Sequence, residues 1–292
     1  MLAMVAAVIG TIAVLVVRSR SPILPIAETA RPQDAIVLWS TGDYEEVVRV
    51  TTEQLLEFPL DDTALALRGF SRFYLAVQMV DLDERNELLL GAIQDLRRAL
   101  LLEDHELETE IRYVLGKAYF HRGLFFYDSA IEELERAREL GLEQLDLLEY
   151  LALAHRDLGR FEDSIEYFRT AIALADEAIH KVSLADIFID LSRYESADRL
   201  LAEVVEGTSD VTLLQDALLS RGLSYRRQGR HSDALLAYER ILELNESSAE
   251  AHYGMGEVYL ARDETDRARF EWREAIRLDP NHIESLQRLQ DY

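Results

Sequence analysis

At 292 residues, 49% hydrophobic and 29% charged, the chain is too apolar to be disordered throughout and too polar to be a polytopic membrane protein. It contains no cysteine, which excludes disulfides, thiolate zinc sites, Fe–S ligation and thiol nucleophiles. A formal net charge of −24 and a pI near 4.6 repel phosphate backbones, so no nucleic-acid partner is expected.

Met1 to Val17 carries no charged side chain and one hydroxyl, Thr11. As a helix it would span roughly 25 Å, near the hydrocarbon thickness of a bilayer. Arg18 and Arg20 follow directly and would lie among headgroups. A cleaved signal peptide would want a basic start and an A-x-A-like site, and a lipoprotein signal a cysteine. The segment lacks all three, so residues 1–20 are expected to form an uncleaved single-pass anchor with a basic flank. Arginines on the carboxyl side alone place the bulk of the chain in the cytoplasm, on an inner membrane. Residues 21–27 form a linker in which Pro22 and Pro25 stop helix continuation.

From Glu28 a period near 34 residues runs to His282. The first unit, 28–61, carries Ala35, Gly42, Tyr44 and Pro59 and is the most divergent. The second, 62–108, carries Gly69, Ala92, Leu96 and Ala99, with an insertion around Val80 to Glu87. The third, 109–144, has Gly116, Tyr119, Ala130, Leu134 and Ala137, with a small insertion after Gly123. Units 145–177 and 178–214 carry Ala152, Ser164, Phe168, Ala171 and then Ala185, Phe188, Ala197, Leu201. Gly222, Tyr225, Ala234, Tyr238 and Ile241 mark 215–248. Gly256, Tyr259, Ala268, Trp272, Ala275 and Pro280 mark 249–282. Position 8 of every unit is Ala or Gly, which is the demand of two antiparallel helices in close approach. Position 20 of the second helix is expected to face that spot, with a large residue at 24 beside it. Residues 283–292, with Ile283, Leu286 and Leu289 as one stripe, are expected to form a capping helix with a polar side to water.

This pattern resembles the tetratricopeptide repeat. The resemblance implies an all-α fold, an α-solenoid or right-handed superhelix of helix–turn–helix repeats, here preceded by one transmembrane helix. It also implies a non-catalytic protein that binds a protein or peptide partner through its first helices, on a concave face. Carried over position by position, that face offers Trp39, Phe70, Phe73, Tyr74, Tyr113, Lys117, Phe120, His121, Arg226, Tyr253 and Glu257, with Asp146, Glu149, Arg156, Asp157, Asp186 and Asp190 between the two halves. The role implied is scaffolding for complex assembly or quality control at a membrane. An extracytoplasmic adaptor in envelope assembly or transport is the alternative, and an enzyme the remote one.

No phosphate-cradling loop, dinucleotide fingerprint, H-E-x-x-H or G-x-S-x-G is present, so no catalytic residue, cofactor or metal is expected. The seven histidines, His105, His121, His155, His180, His231, His252 and His282, are read as helix-surface residues. Asp81, Asp83, Glu84 and Asn86 are read as a solvated acidic loop. Glu132 and Arg136 are read as an i,i+4 pair.

Overall fold

A computed structural model describes residues 32–102 and 107–292. The expected anchor and linker, and His105, lie outside these residues. Fifteen α-helices are found among the described residues, and none is long and apolar enough to cross a membrane. The chain divides into two compact units, residues up to Ser164 and Ile165–Tyr292.

The first unit holds α1 (Pro32–Thr41), α2 (Tyr44–Glu57), α3 (Asp62–Ala76), α4 (Leu82–Leu100), α5 (Glu108–His121), α6 (Tyr127–Glu139) and α7 (Leu145–Asp157), and ends inside α8 (Phe161–Leu174). Helix α1 packs on α2, α3 on α4 and α5 on α6, while α1, α3, α5 and α7 touch in succession and so form one row. The second unit holds α9 (Ala178–Asp190), α10 (Tyr194–Gly207), α11 (Val211–Arg227), α12 (His231–Leu244), α13 (Ala249–Ala261), α14 (Thr265–Leu278) and α15 (Ile283–Asp291). Its hairpins are α9/α10, α11/α12 and α13/α14, and α9, α11 and α13 form the corresponding row.

The turn inside a hairpin has a repeated chemistry. Gly42, Gly123, Gly159 and Gly229 take positive φ there, and Ser192 and Asp263 occupy the same left-handed position at φ 56° and 59°. Except after Gly123, the next residue donates its N–H to the carbonyl five positions back, as Arg160 does to His155 at 2.8 Å and Arg193 to Phe188 at 2.7 Å. This satisfies the last carbonyls of the helix.

Small residues at position 8 sit where helices meet, but the nearest neighbour is position 24. A Cβ on Gly69 would lie 2.6 Å from Leu96 Cγ, and one on Gly116 2.6 Å from Leu134 Cγ. The position 20 residue contributes its backbone: Ala130 O would be 3.1 Å from the Gly116 Cβ. Ala35, Ala152 and Ala185 are fully buried. In the fourth hairpin Ser164 Oγ donates to Ala152 O at 2.6 Å, so a hydroxyl replaces the methyl without being orphaned.

Three expectations are corrected. The residues around Asp81 are no loop: Asp81 caps α4 by accepting from the Asp83 and Glu84 amides at 2.9 and 3.0 Å, and Asp83, Glu84 and Asn86 fall in its first turns. Carboxylates there are favoured by the positive end of the helix dipole. The insertion thus becomes an amino-terminal extension of α4, which runs 19 residues. Arg136 pairs with Glu139 at 2.8 Å, not with Glu132. Ser285 of α15 and its N-cap His282 are buried and Leu289 is half-buried, while Ile283 and Leu286 are exposed. Two of the three residues of the expected stripe are therefore outward, and polar contacts described below help hold α15.

Candidate functional site

The row α3, α5, α7 gathers most of the expected face into one cluster. Spacings of three and four residues put Phe70, Phe73 and Tyr74 on one side of α3. The same spacing aligns Tyr113, Lys117, Phe120 and His121 on α5, and Asp146 and Tyr150 on α7. Lys117 is 6% exposed. Its ammonium lies 4.8, 4.9 and 5.6 Å from the ring centroids of Tyr113, Tyr150 and Phe73, a cage of three rings. It donates to Asp146 Oδ2 at 3.0 Å and to Tyr113 Oη at 3.2 Å, and Tyr113 Oη donates to the same Asp146 oxygen at 2.5 Å. A buried ammonium costs several kcal/mol to desolvate. Here a carboxylate, a phenol and three π-faces, each worth about 0.5–2 kcal/mol, offset that cost.

The electrostatics follow from this packing. Burial, reinforced by Asp146, holds the Tyr113 phenol far above its usual range. Burial pushes Tyr74 up to about 12, and raises Tyr150 as well. Burial and the cations Arg85 and Lys117 push His121 down to about 4, so its ring is neutral at pH 7. Arginine can only donate, so Nδ1 of His121 accepts from Arg85 Nη2 at 3.2 Å. Nε2 then carries the proton and donates to Tyr150 Oη at 3.2 Å.

Ring contacts run unbroken across the unit. Tyr44 stacks on Tyr74 at 5.3 Å, Tyr74 meets Phe73 edge-on, and Phe73 meets His121 at 5.8 Å. His121 meets Tyr150, which meets Phe120 at 5.0 Å, which meets Tyr127 at 5.3 Å. Tyr44, Tyr74, His121, Tyr150, Phe120 and Tyr127 are half-buried, so each keeps an exposed edge. Trp39, Phe70, Phe73 and Tyr113 are 1–2% exposed and serve internal packing, not an accessible wall. Trp39 packs on Tyr44, Phe70 and Tyr74.

Arg226, Tyr253 and Glu257 form a separate group in the second unit. Glu257, 5% exposed, accepts Arg288 Nε and Nη2 of α15 at 2.7 Å each, and Arg226 Nη1 lies 3.8 Å away. Tyr253 packs on His282 at 5.2 Å. Glu257 is thus a structural anchor for α15. His282 Nδ1 caps that helix by accepting from the Ser285 amide at 3.2 Å. Three histidines read as surface residues, His155, His180 and His282, are buried. Among the described residues no group of His, Asp or Glu is placed to hold a metal ion.

Sequence reasoning missed Tyr150 and Tyr44, because neither falls at a family position for the face. The spacing of four from Asp146 to Tyr150 was the available signal. It also missed the staple on Asp95, which is 2% exposed and takes Arg68 at 2.8 and 2.7 Å and Arg72 at 2.5 Å. An aspartate mid-helix offers no sign of a partner 23 and 27 residues away.

The tetratricopeptide repeat family matches residues 126–179 and 219–283. The human Superkiller complex protein 3 is 25% identical over 253 residues, 84% of this chain and 15% of that protein. Among solved structures, the carboxyl-terminal part of a TPR repeat-containing protein from Cytophaga hutchinsonii superposes with a TM-score of 0.63 at 17% identity, covering 89% of this chain and 99% of that one. A chain of the APC/C hetero-tetramer Cut9-Hcn1 gives 0.57 at 17% identity, covering 98% of this chain and 52% of that one. This chain therefore spans about a sixth of the human relative and about half of the Cut9-Hcn1 chain. At these identities the structures speak for the fold alone. Residues 126–179 and 219–283 are therefore similar to tetratricopeptide repeats, and the helical hairpins of the chain share the fold of such repeat proteins.

Proposed function

We propose that the chain is a non-catalytic scaffold that binds a segment of another protein across the α3–α5–α7 row. The observation that carries this reading is the continuous path of rings from Tyr44 to Tyr127, six of which keep an exposed edge. Aromatic edges held rigid by packing give contact area without ordering cost, the usual property of binding hot spots. Lys117 and Asp146 satisfy each other, and neutral His121 is bonded to Arg85 and Tyr150, so the face selects by shape and ring contact. Photo-crosslinkers at Tyr74 and Tyr150 should capture the same partner, and one at Glu139, on a second helix, should not. Equal capture from all three positions would end this reading.

The apolar residues 1–17 support a further element of the proposal: the scaffold is tethered to a membrane, with its repeats on the cytoplasmic side, for complex assembly or quality control. A topology reporter fused after Tyr292 tests it. Activity only on the extracytoplasmic side would favour the adaptor reading, and release of the chain by high salt would remove the tether.

A further inference from the structure

The amino-terminal extension of α4 has two flanks with different fates. One is tied to the end of α5: Arg85 Nη2 reaches His121 Nδ1 at 3.2 Å, and Arg122 Nη1 reaches Asn86 Oδ1 at 3.3 Å. The opposite flank lines an open groove of about 540 Å³. Met79, Leu88 and Leu90 line it together with Arg72, Glu84 and Glu87. Glu84, Glu87, Leu88 and Gly91 share one helix face by their spacing. Gly91 leaves room beside Arg72, where a Cβ would stand 3.1 Å from Arg72 Nη1. The apolar character continues outside, with Val80 92% and Leu82 67% exposed.

The charges of the groove are not balanced. Arg72 shares the single carboxylate of Asp95 with Arg68, so the staple keeps one surplus positive charge against the carboxylates of the groove. The Glu84 and Glu87 side chains make no ion pair or hydrogen bond among the described residues, and Asp83 adds a third carboxylate in the same helix turn. We infer that this groove is a docking site for a protein segment that presents an apolar side chain flanked by arginine or lysine. The apolar residue would seat on Met79, Leu88 and Leu90, and the cations would pair with Glu84 and Glu87. The site is separate from the aromatic row, and its test does not depend on that reading.

The test is fluorescence anisotropy with the full chain and two labelled peptides. One holds a leucine–phenylalanine pair flanked on each side by two arginines, and its twin has glutamates in their place. The arginine peptide should bind and the glutamate peptide should not. The pair Glu84→Lys, Glu87→Lys should weaken binding at least about tenfold, as should Leu90→Asp. All three sites are exposed, so helicity should persist, and circular dichroism checks it. The milder pair Glu84→Gln, Glu87→Gln should give an intermediate loss. The same charge change elsewhere, Glu246→Lys with Glu250→Lys, should leave affinity within about twofold. Equal binding of the two peptides, or an equal loss in the Glu246, Glu250 pair, would overturn the inference. So would self-association of the wild type that Leu90→Asp abolishes, since the occupant would then be a second copy.

Discussion

The Tyr238 ring is held between two glycines, and this makes a sharp test of how the repeats pack. A Cβ on Gly254 of α13 would lie 2.5 Å from Tyr238 Cζ and 2.6 Å from Cε1. A Cβ on Gly222 of α11 would lie 2.5 Å from Cε1 and 2.6 Å from Cζ. Ordinary carbon contacts are about 3.5–4.0 Å, so Gly254→Ala creates an overlap of roughly 1 Å. The ring cannot retreat toward α11, and it is packed among Ala234, Ile241, Ala251 and Val258. Overpacking of this kind costs about 1–3 kcal/mol. Replacing a mid-helix glycine returns about 0.5–1 kcal/mol of backbone entropy, and with an overlap this large the net loss falls in the upper part of a range of about 0–2.5 kcal/mol. Gly207→Ala is the control, because nothing lies within 4 Å of its Cβ position. It should be neutral or slightly stabilising. Chemical unfolding followed through Trp272, in a Trp39→Phe background, reports on the second unit. In a Tyr238→Leu background the Gly254→Ala penalty should shrink by at least about 1 kcal/mol. An undiminished penalty there, or full stability of the single variant, would refute the clamp.

The Asp95 staple should be among the most sensitive polar sites of the first unit. Asp95→Ala strands Arg68, whose side chain is 11% exposed, together with Arg72, and should cost about 3–5 kcal/mol in denaturant titration. A loss below about 1 kcal/mol would show that water solvates both guanidiniums. His121 sets a pH dependence. Its folded pKa, pushed to about 4, lies below the usual value near 6.5, so only the unfolded state takes up a proton between these values. Its contribution is complete above pH ~6.5 and disappears as pH falls toward 4. The upper limit is about 3 kcal/mol, reduced by solvent screening of a half-buried ring. Imidazole NMR should find a His121 titration midpoint well below 6, and a midpoint at or above 6.5 would remove the prediction. Arg288→Ala should release α15 alone, because Glu257 then keeps only Arg226 at 3.8 Å. Hydrogen exchange should rise across 283–291 while α13 stays protected, and unchanged exchange would mean that His282 suffices as the anchor.

What was legible in the sequence was whatever a local rule enforces. Gly159 and Gly229 were readable as helix stops because only a residue tolerant of positive φ closes that turn. The small residues at position 8 were readable because close helix approach recurs at the repeat period. Ser192 and Asp263 do the same work as those glycines and were not recognised, since their chemistry alone does not announce a left-handed backbone. The face was legible by family position but not by depth. Phe73 and Tyr74 are adjacent in sequence, yet one is 1% exposed and the other keeps an edge in solvent. Depth depends on what the next hairpin brings, and His121 and Lys117 come from more than forty residues away. Likewise the outward turn of Ile283 and Leu286 could not be read from an apolar stripe. The face of α15 that packs is chosen by Arg288 on Glu257 and by the His282 cap, two polar contacts.

These contacts also explain how an acidic chain can carry two surfaces of different character. On the α3–α5–α7 row the single buried cation, Lys117, is matched by Asp146, and the nearby imidazole is neutral. With Lys117 and Asp146 paired, the binding proposed for that row would discriminate by ring edges and shape, interactions that salt screens little. At the α4 extension the pairing stops. Arg72 shares Asp95 with Arg68, and Glu84 and Glu87 are exposed and have no cation partner among the described residues. The same insertion that breaks the 34-residue period therefore creates both the groove and its excess charge. A repeat that kept the period would have had no extra turn to display either.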